Sequence, residues 1–334
     1  MAATMKDIAK ETGLSLATIS KYMNGGTLRE KNRVAVERAI QKLDYTVNEY
    51  ARGLKSNRSR TVGIIIPELS QLFSTRIITV IEDILRAHGY SPLICDCHTD
   101  ETLECDMIKF LLGKRVDGII NMPVCTDGRH LLPALEQGIP VVLLDRPVPS
   151  LQEKTDAVLL DNEAASALAV RELVEHGHRK IGILTGPESI YTSRQRLLGY
   201  RNSLASYGIP APAGLAVCGD YTLEGGYRQI RKLVENVPDM TAVFVTNYEM
   251  TLGAVIAVNE MGIRIPQELS LIGFDNLDLA RIAHPRLTIV SQPIEQIGTE
   301  VARLILDRME KKPSKTVAVS LSPVFQEGES VAKR

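Results

Sequence analysis

Four polar side chains and one aromatic ring stand where a small ligand could be held. Asp145, Asn247 and Asp275 each follow an apolar run, in PVVLLD, TAVFVTN and LSLIGFD. At the end of a buried strand, a carboxylate or amide can accept hydrogen bonds from the vicinal hydroxyls of a sugar. Arg196, near the start of a helical stretch, can direct paired donors at ligand oxygens, which suits a sugar acid or sugar phosphate as well as a neutral sugar. Phe73 offers a flat face to the apolar side of a ring. The same residues also have plainer uses: Asp145 with Arg146 as a local ion pair, Asn247 and Asp275 as helix caps, and Phe73 as core. Catalytic motifs are missing from the sequence: it has no G-x-G-x-x-G, no G-x-x-x-x-G-K-[ST], no G-x-S-x-G and no H-E-x-x-H. His176 and His178 in EHGHR have the look of a metal pair but no accompanying ligand cluster, so no metal and no cofactor is expected.

A second chemistry is written at the front of the chain. Residues 1–60 carry 12 Lys and Arg against 6 acids, a charge of +6, while the remainder of the 334-residue chain carries -7. A small basic head on an acidic body points to a polyanionic partner. Within GLSLATISKYMNGG, Ser15 can cap a helix running to about Asn24, with Ile19 and Met23 facing inward. Leu16, Ala17 and Ser20 then face outward with Lys21. Small and apolar groups beside one long cation suit a major groove, where thymine methyls, base edges and phosphates are within reach. An ordinary helical hairpin is the competing reading.

The elements that position this face are short. KDIAKET forms a first helix around Ile8 and Ala9, Gly13 breaks it, and Glu30 to Leu43 forms a third helix with Val36, Ala39, Ile40 and Leu43 inside. From Thr61 the pattern turns to alternating strands and helices. TVGIIIP, SPLIC, VDGIINM and PVVLLD are strands in a first set, and KIGILTG, TAVFVTN and LSLIGF in a second. Helices are expected at Leu168–His176, Gln195–Gly208 and Met250–Gly262, with glycines 89, 138, 208 and 262 closing helices. Two similar parallel lobes would place their carboxyl strand ends around one cleft. MAATMKDIAKETG is polar and no apolar stretch nears the roughly 18 residues of a membrane span, so no membrane partner and a cytoplasmic location are expected. The five cysteines contain no C-x-x-C pair and are read as reduced, without a disulfide framework or zinc site.

The run KDIAKETGLSLATISKYMNG, followed by AVERAIQKLDYTVNEYARGLKS, resembles the helix-turn-helix headpiece and hinge of the lactose-repressor/galactose-repressor family of bacterial transcription regulators. The resemblance continues through IIPELSQLF, GKRVDGII, VVLLDRP, GHRKIGILTGP, RQRLLGY, AVFVTNYEMTLGA and IPQELSLIGFDN. It implies an all-α helix-turn-helix headpiece plus an α/β periplasmic-binding-protein-like body of two parallel-sheet lobes. By the same resemblance the headpiece spans 1–47, the hinge 48–60, the first lobe 61–160 and 293–321, and the second lobe 161–292 and 322–334. Base reading falls to Leu16 and Ala17, with Ser15, Thr18, Ser20, Lys21 and Asn24 on or beside the same helix. Lys21 stands where the family more often has Arg, and offers a point charge in place of a bidentate grip on guanine. Ala51 and Leu54 belong to a hinge helix that forms on DNA, with Leu54 as a minor-groove wedge; a plain linker is the alternative. Val47 replaces the family's usual Pro. For the effector, Arg196 and Asp275 match the most general contacts, and Phe73, Asn121, Asp145, Thr192, Asn247 and Gln292 the others. The implied partners are a pseudo-palindromic operator DNA, a sugar-like effector and a second copy of the chain. The implied activity is regulation of transcription, most simply repression, and not catalysis; a sugar-binding transport component is the alternative.

Overall fold

The computed structural model describes residues 3–23, 26–45, 58–275, 277–310 and 315–334. The chain divides into two compact units, Met1–Ser59 and Arg60–Arg334. In the first unit, helices α1 (Met5–Thr12), α2 (Leu16–Met23) and α3 (Glu30–Lys42) surround Ile8, Ile19, Val36 and Ala39. Gly13, at φ 69, turns the chain between α1 and α2, a left-handed conformation that costs glycine little. Among the described residues these four buried side chains make a very small core. Side-chain ties supplement it: Tyr22 donates to Glu37 at 2.9 Å, Arg33 pairs with the same carboxylate at 2.7 Å, and Lys42 pairs with Glu11 at 2.7 Å.

The second unit holds two six-stranded sheets. Strands β1 (Thr61–Ile66), β2 (Ser91–Asp96), β3 (Gly118–Asn121), β4 (Val141–Leu144) and β5 (Asp156–Leu160) form one; β6 (Ile181–Thr185), β7 (Ala216–Cys218), β8 (Ala242–Val245), β9 (Ser270–Phe274) and β10 (Thr288–Ser291) form the other. The last two strands separate: β11 (Ala318–Leu321) pairs parallel with β5, and β12 (Val324–Gln326) pairs antiparallel with β10. The orders are therefore β11-β5-β4-β3-β1-β2 and β12-β10-β9-β8-β6-β7. Central strands such as Gly118–Asn121 and Ala242–Val245 are buried throughout, as continuous apolar runs covered on both faces must be.

The alternating strands and helices expected from sequence are present, and the four helix-closing glycines have φ of 67–74°. The helices begin earlier than apolar spacing indicates. The second-lobe helices run Asn162–Glu175, Tyr191–Ser206 and Tyr248–Glu260, because polar caps open two of them: Asp161 accepts from the Ala164 amide and Asn247 from the Met250 amide, each at 2.9 Å. Strands β5, β7, β10, β11 and β12 go beyond the seven apolar runs singled out. Gly199 sets one packing that matters for the cleft. A Cβ there would stand 2.5 Å from the Glu163 carbonyl oxygen, so only glycine lets the helix Tyr191–Ser206 lie this close to the helix Asn162–Glu175.

Candidate functional site

On α2 the cap forms as the sequence indicates. Ser15 Oγ accepts from the Thr18 amide at 3.2 Å and lies 2.9 Å from the Thr18 hydroxyl. This cap orients Leu16, Ala17 and Lys21 outward: all three are exposed, Leu16 to 46%, while Ile19 is buried completely. Thr18 and Ser20 are half-buried at the edges of the same face. An exposed leucine beside an alanine and a lysine is an apolar step with a charge next to it, a surface that matches a groove floor and its phosphates. Asn24, Ala51 and Leu54, and with them residues 48–57 of the expected hinge, lie outside the described residues.

The body brings three of the expected effector residues to one cavity. Phe73, Asp275 and Gln292 line a space of about 60 Å³ together with Leu72, Arg76, Tyr248, Ser291 and Ile294. Phe73 and Arg76 come from the helix Leu72–Ala87 beside the first sheet, Asp275 and Gln292 from just beyond β9 and β10 of the second. Strand adjacency holds the latter pair. The Asp275 carboxylate accepts from the Gln292 amide and from Gln292 Nε2, both at 3.0 Å. Asp275 itself takes a left-handed backbone, φ 58. Burial pushes its carboxyl above the usual range, against the pull of the nearby Arg196 charge and the Gln292 donors. Gln292 Oε1 is buried without a partner among the described residues. The cavity thus presents one acceptor without a donor, Gln292 Oε1, beside a carboxylate with lone pairs to spare, and hydroxyls of a ligand would supply the donors.

Arg196 stands behind this wall, 5% exposed. Its Nε donates to Asn162 Oδ1 at 2.8 Å, its Nη1 to the Thr246 carbonyl oxygen at 2.6 Å, and its guanidinium lies 3.9 Å from the centre of the Phe274 ring. Stacked and doubly bonded, the fork is fixed in place, and Nη2 keeps its donors without an acceptor among the described residues. Thr192 is buried one turn earlier on the same helix.

Three expected residues are engaged elsewhere. Asn121 does not line the cavity: it is wholly buried, and its Nδ2 donates to Glu104 at 2.9 Å. Asn247 uses both ends of its amide on its own helix, capping Met250 and donating from Nδ2 to Glu249 at 2.6 Å. Asp145, buried at φ 68, stands 3.4 Å from Arg146 Nε, the local ion pair that its sequence neighbour allowed. The sequence reading missed Arg76, Ser291 and Tyr248 as cavity walls. Arg76 follows Phe73 by three residues and could have been found from helical spacing; Ser291 shares the cavity only because β10 lies beside β9.

Comparison with known proteins gives the same two parts. Residues 4–48 match the model for bacterial regulatory proteins of the lacI family, and residues 170–331 that for a periplasmic binding protein-like domain. Catabolite control protein A of Priestia megaterium is 33% identical over 325 residues, covering 96% of this chain and 97% of the relative. The HTH-type transcriptional repressor PurR of Edwardsiella ictaluri (strain 93-146) is 34% identical over 334 residues, covering 99% and 97%. Among solved structures, a complex of the transcriptional regulator CelR with cellobiose aligns with a TM-score of 0.75 at 28% identity over 98% of this chain and 99% of that one. A lac repressor dimer bound to operator and an anti-inducer shares the fold, with a TM-score of 0.88 at 24% identity over 99% and 100%. The chain belongs to the lacI family of bacterial regulatory proteins.

Proposed function

We propose that this chain is a sequence-specific DNA-binding transcriptional repressor, acting as a homodimer on a pseudo-palindromic operator in the cytoplasm, and that a sugar or sugar derivative in the cleft controls its affinity. The observation that carries the DNA half is the exposed face of Leu16, Ala17 and Lys21 on a capped helix within a head of +6 charge. The ligand half rests on the unpartnered Gln292 Oε1 and the Asp275 carboxylate in a cavity that Phe73 also lines, with Arg196 fixed behind them. Acceptors for hydroxyls and an aromatic face for the C–H side of a ring fit a pyranose or furanose. Arg76 at the cavity and Nη2 of Arg196 extend the range to sugar acids and sugar phosphates. Cellobiose in the CelR complex and ribose in the complex of a regulator from Enterococcus faecium are ligands of the kind intended. We read the cleft as a binding site, not a catalytic one. A ligand that prefers one closure of the lobes shifts DNA affinity by its differential affinity for the two closures.

The test is a panel of neutral sugars, sugar acids and sugar phosphates, read by thermal melting and by operator binding. A true effector at about 100 times its Kd adds roughly 2.7 kcal/mol to stability and shifts operator affinity. A panel in which compounds raise the melting temperature but none alters DNA binding would break the link between cleft and head.

A further inference from the structure

A second polar cluster lies inside the first lobe, away from the cleft cavity. Glu104, on the helix Glu101–Gly113, is completely buried. Its Oε2 accepts from the amides of Val124 and Cys125, at 3.1 and 2.6 Å. Its Oε1 accepts from Asn121 Nδ2 at 2.9 Å and faces His130 Nε2 at 3.3 Å. The His130 side chain is 2% exposed. One ligand atom each from Glu104, Cys125 and His130 lies within 4.8 Å of the other two.

Two atoms of this cluster, His130 Nδ1 and Asn121 Oδ1, are buried without a partner among the described residues. A self-contained hydrogen-bond network would leave neither. We infer that Glu104, Cys125 and His130 form a binding site for a borderline divalent transition cation of the zinc class, with water completing its coordination. The donor set is mixed sulfur, nitrogen and oxygen, the set that suits zinc better than magnesium or calcium. Bonds of about 2.0–2.3 Å put the donors of a tetrahedral zinc ion about 3.3–3.8 Å apart. The Oε1 to Nε2 separation of 3.3 Å already has that length. The backbone amides of Val124 and Cys125 and the amide of Asn121 fix the carboxylate from outside, the outer support a metal ligand needs. An entry path exists, since Cys105, Cys125 and His130 also line a surface cavity. On binding, the Cys125 S–H bond breaks and one metal–sulfur bond forms, with the thiol proton released to solvent.

The test uses the full chain, reduced and titrated with Co²⁺. Stoichiometric binding should produce thiolate-to-cobalt charge-transfer absorption and tetrahedral ligand-field bands, both bleached by Zn²⁺. Cys125→Ser should remove most of the charge-transfer band and weaken binding by at least about tenfold, and Asn121→Ala should weaken it by about 10–100-fold through loss of outer support. Cys218→Ser, an exposed thiol in the second lobe, should leave the titration unchanged. If Cys125→Ser does not fold, protection of Cys125 from alkylation by Zn²⁺ in the unaltered chain decides the matter. Absence of the charge-transfer band, its persistence in a folded Cys125→Ser variant, or alkylation at equal rates with and without Zn²⁺ would overturn the assignment.

Discussion

Leu16, Ala17 and Lys21 on the headpiece differ from Arg196, Asp275 and Gln292 in the body in how much of each side chain the fold already uses. The headpiece residues project into solvent from a helix held by Ile19 and the Ser15 cap, so the fold needs them little. Arg196 and Gln292 are buried and Asp275 is half-buried, and each bonds to the protein itself: Arg196 to Asn162 and Thr246, Asp275 to Gln292. A surface for a partner as large as DNA can be kept free, because the partner supplies the desolvation. A site for a small ligand has to be prearranged, and the groups that arrange it also hold the lobe together. Substitutions should therefore separate recognition from stability in the head and entangle them in the cleft.

The largest effect should come from Ala17→Glu. A carboxylate on an exposed face that meets phosphates should lower operator affinity by at least about 100-fold, through repulsion and a lost base contact. The melting temperature should stay nearly unchanged, because Ala17 supports no core. A comparable loss of stability in this variant would mean that the two regions do not differ as argued.

Arg196→Ala should behave oppositely. It leaves Asn162 Oδ1 and the Thr246 carbonyl oxygen unpaired in a buried place, at about 1–3 kcal/mol for each orphaned group, so a loss of roughly 2–6 kcal/mol is expected in denaturant unfolding. Its effector response should vanish as well. Loss of the response at unaltered stability would show the arginine to be a free ligand contact, no more built in than Lys21.

The pH dependence sharpens the point about built-in polar groups. His178 is buried, with Nδ1 2.9 Å from the Thr241 hydroxyl and Nε2 3.0 Å from the Ala332 carbonyl oxygen; burial holds its pKa down to about 4, against 6.5 when free. The unfolded chain takes up this proton first. Its contribution is therefore complete above pH 6.5 and is lost as pH falls from 6.5 towards 4, by roughly 3 kcal/mol at most. Unfolding measured across that range should be less steep in His178→Gln than in the parent chain. Equal slopes would remove His178 as the cause.

What the sequence made legible follows the same division. Exposed positions on α2 could be read from helical spacing and charge, because a surface side chain depends on its own helix alone. Apolar runs likewise gave away most of the inner strands. The cleft was legible where a strand end announces it, at Asp275, where an aromatic ring offers a flat face, at Phe73, and through family resemblance, at Gln292. Its pairing depends on β9 lying beside β10, which is a fact of topology. Asn121 illustrates the limit: it ends a strand as Asp275 does, yet Glu104 on a packed helix takes its amide. Asn247 was correctly suspected as a cap, and the cap claims its side chain. The cluster of Glu104, Cys125 and His130 has no local signature, since its members are drawn together by packing of a helix on a loop.

The smallest effect should be Arg76→Ala. Arg76 pairs with Asp278 at 2.5 Å, joining the helix Leu72–Ala87 to the helix Leu277–Ile282, but both side chains are substantially exposed. Such a pair contributes about 1 kcal/mol or less, so stability should barely change. Because Arg76 also lines the cavity, sugar phosphates should lose more affinity than neutral sugars, measured by calorimetry.

The central claim is that the exposed face of α2 reads base sequence. Selection from a pool of random duplexes by the full chain, run in parallel with a Leu16→Ala, Ala17→Gly double variant, tests it most directly. The parent chain should enrich one two-fold-symmetric sequence, while the variant, still folded and still basic, should bind with similar salt dependence yet lose or change that sequence. Enrichment of the same sequence by both proteins, or of none by the parent, would contradict the account.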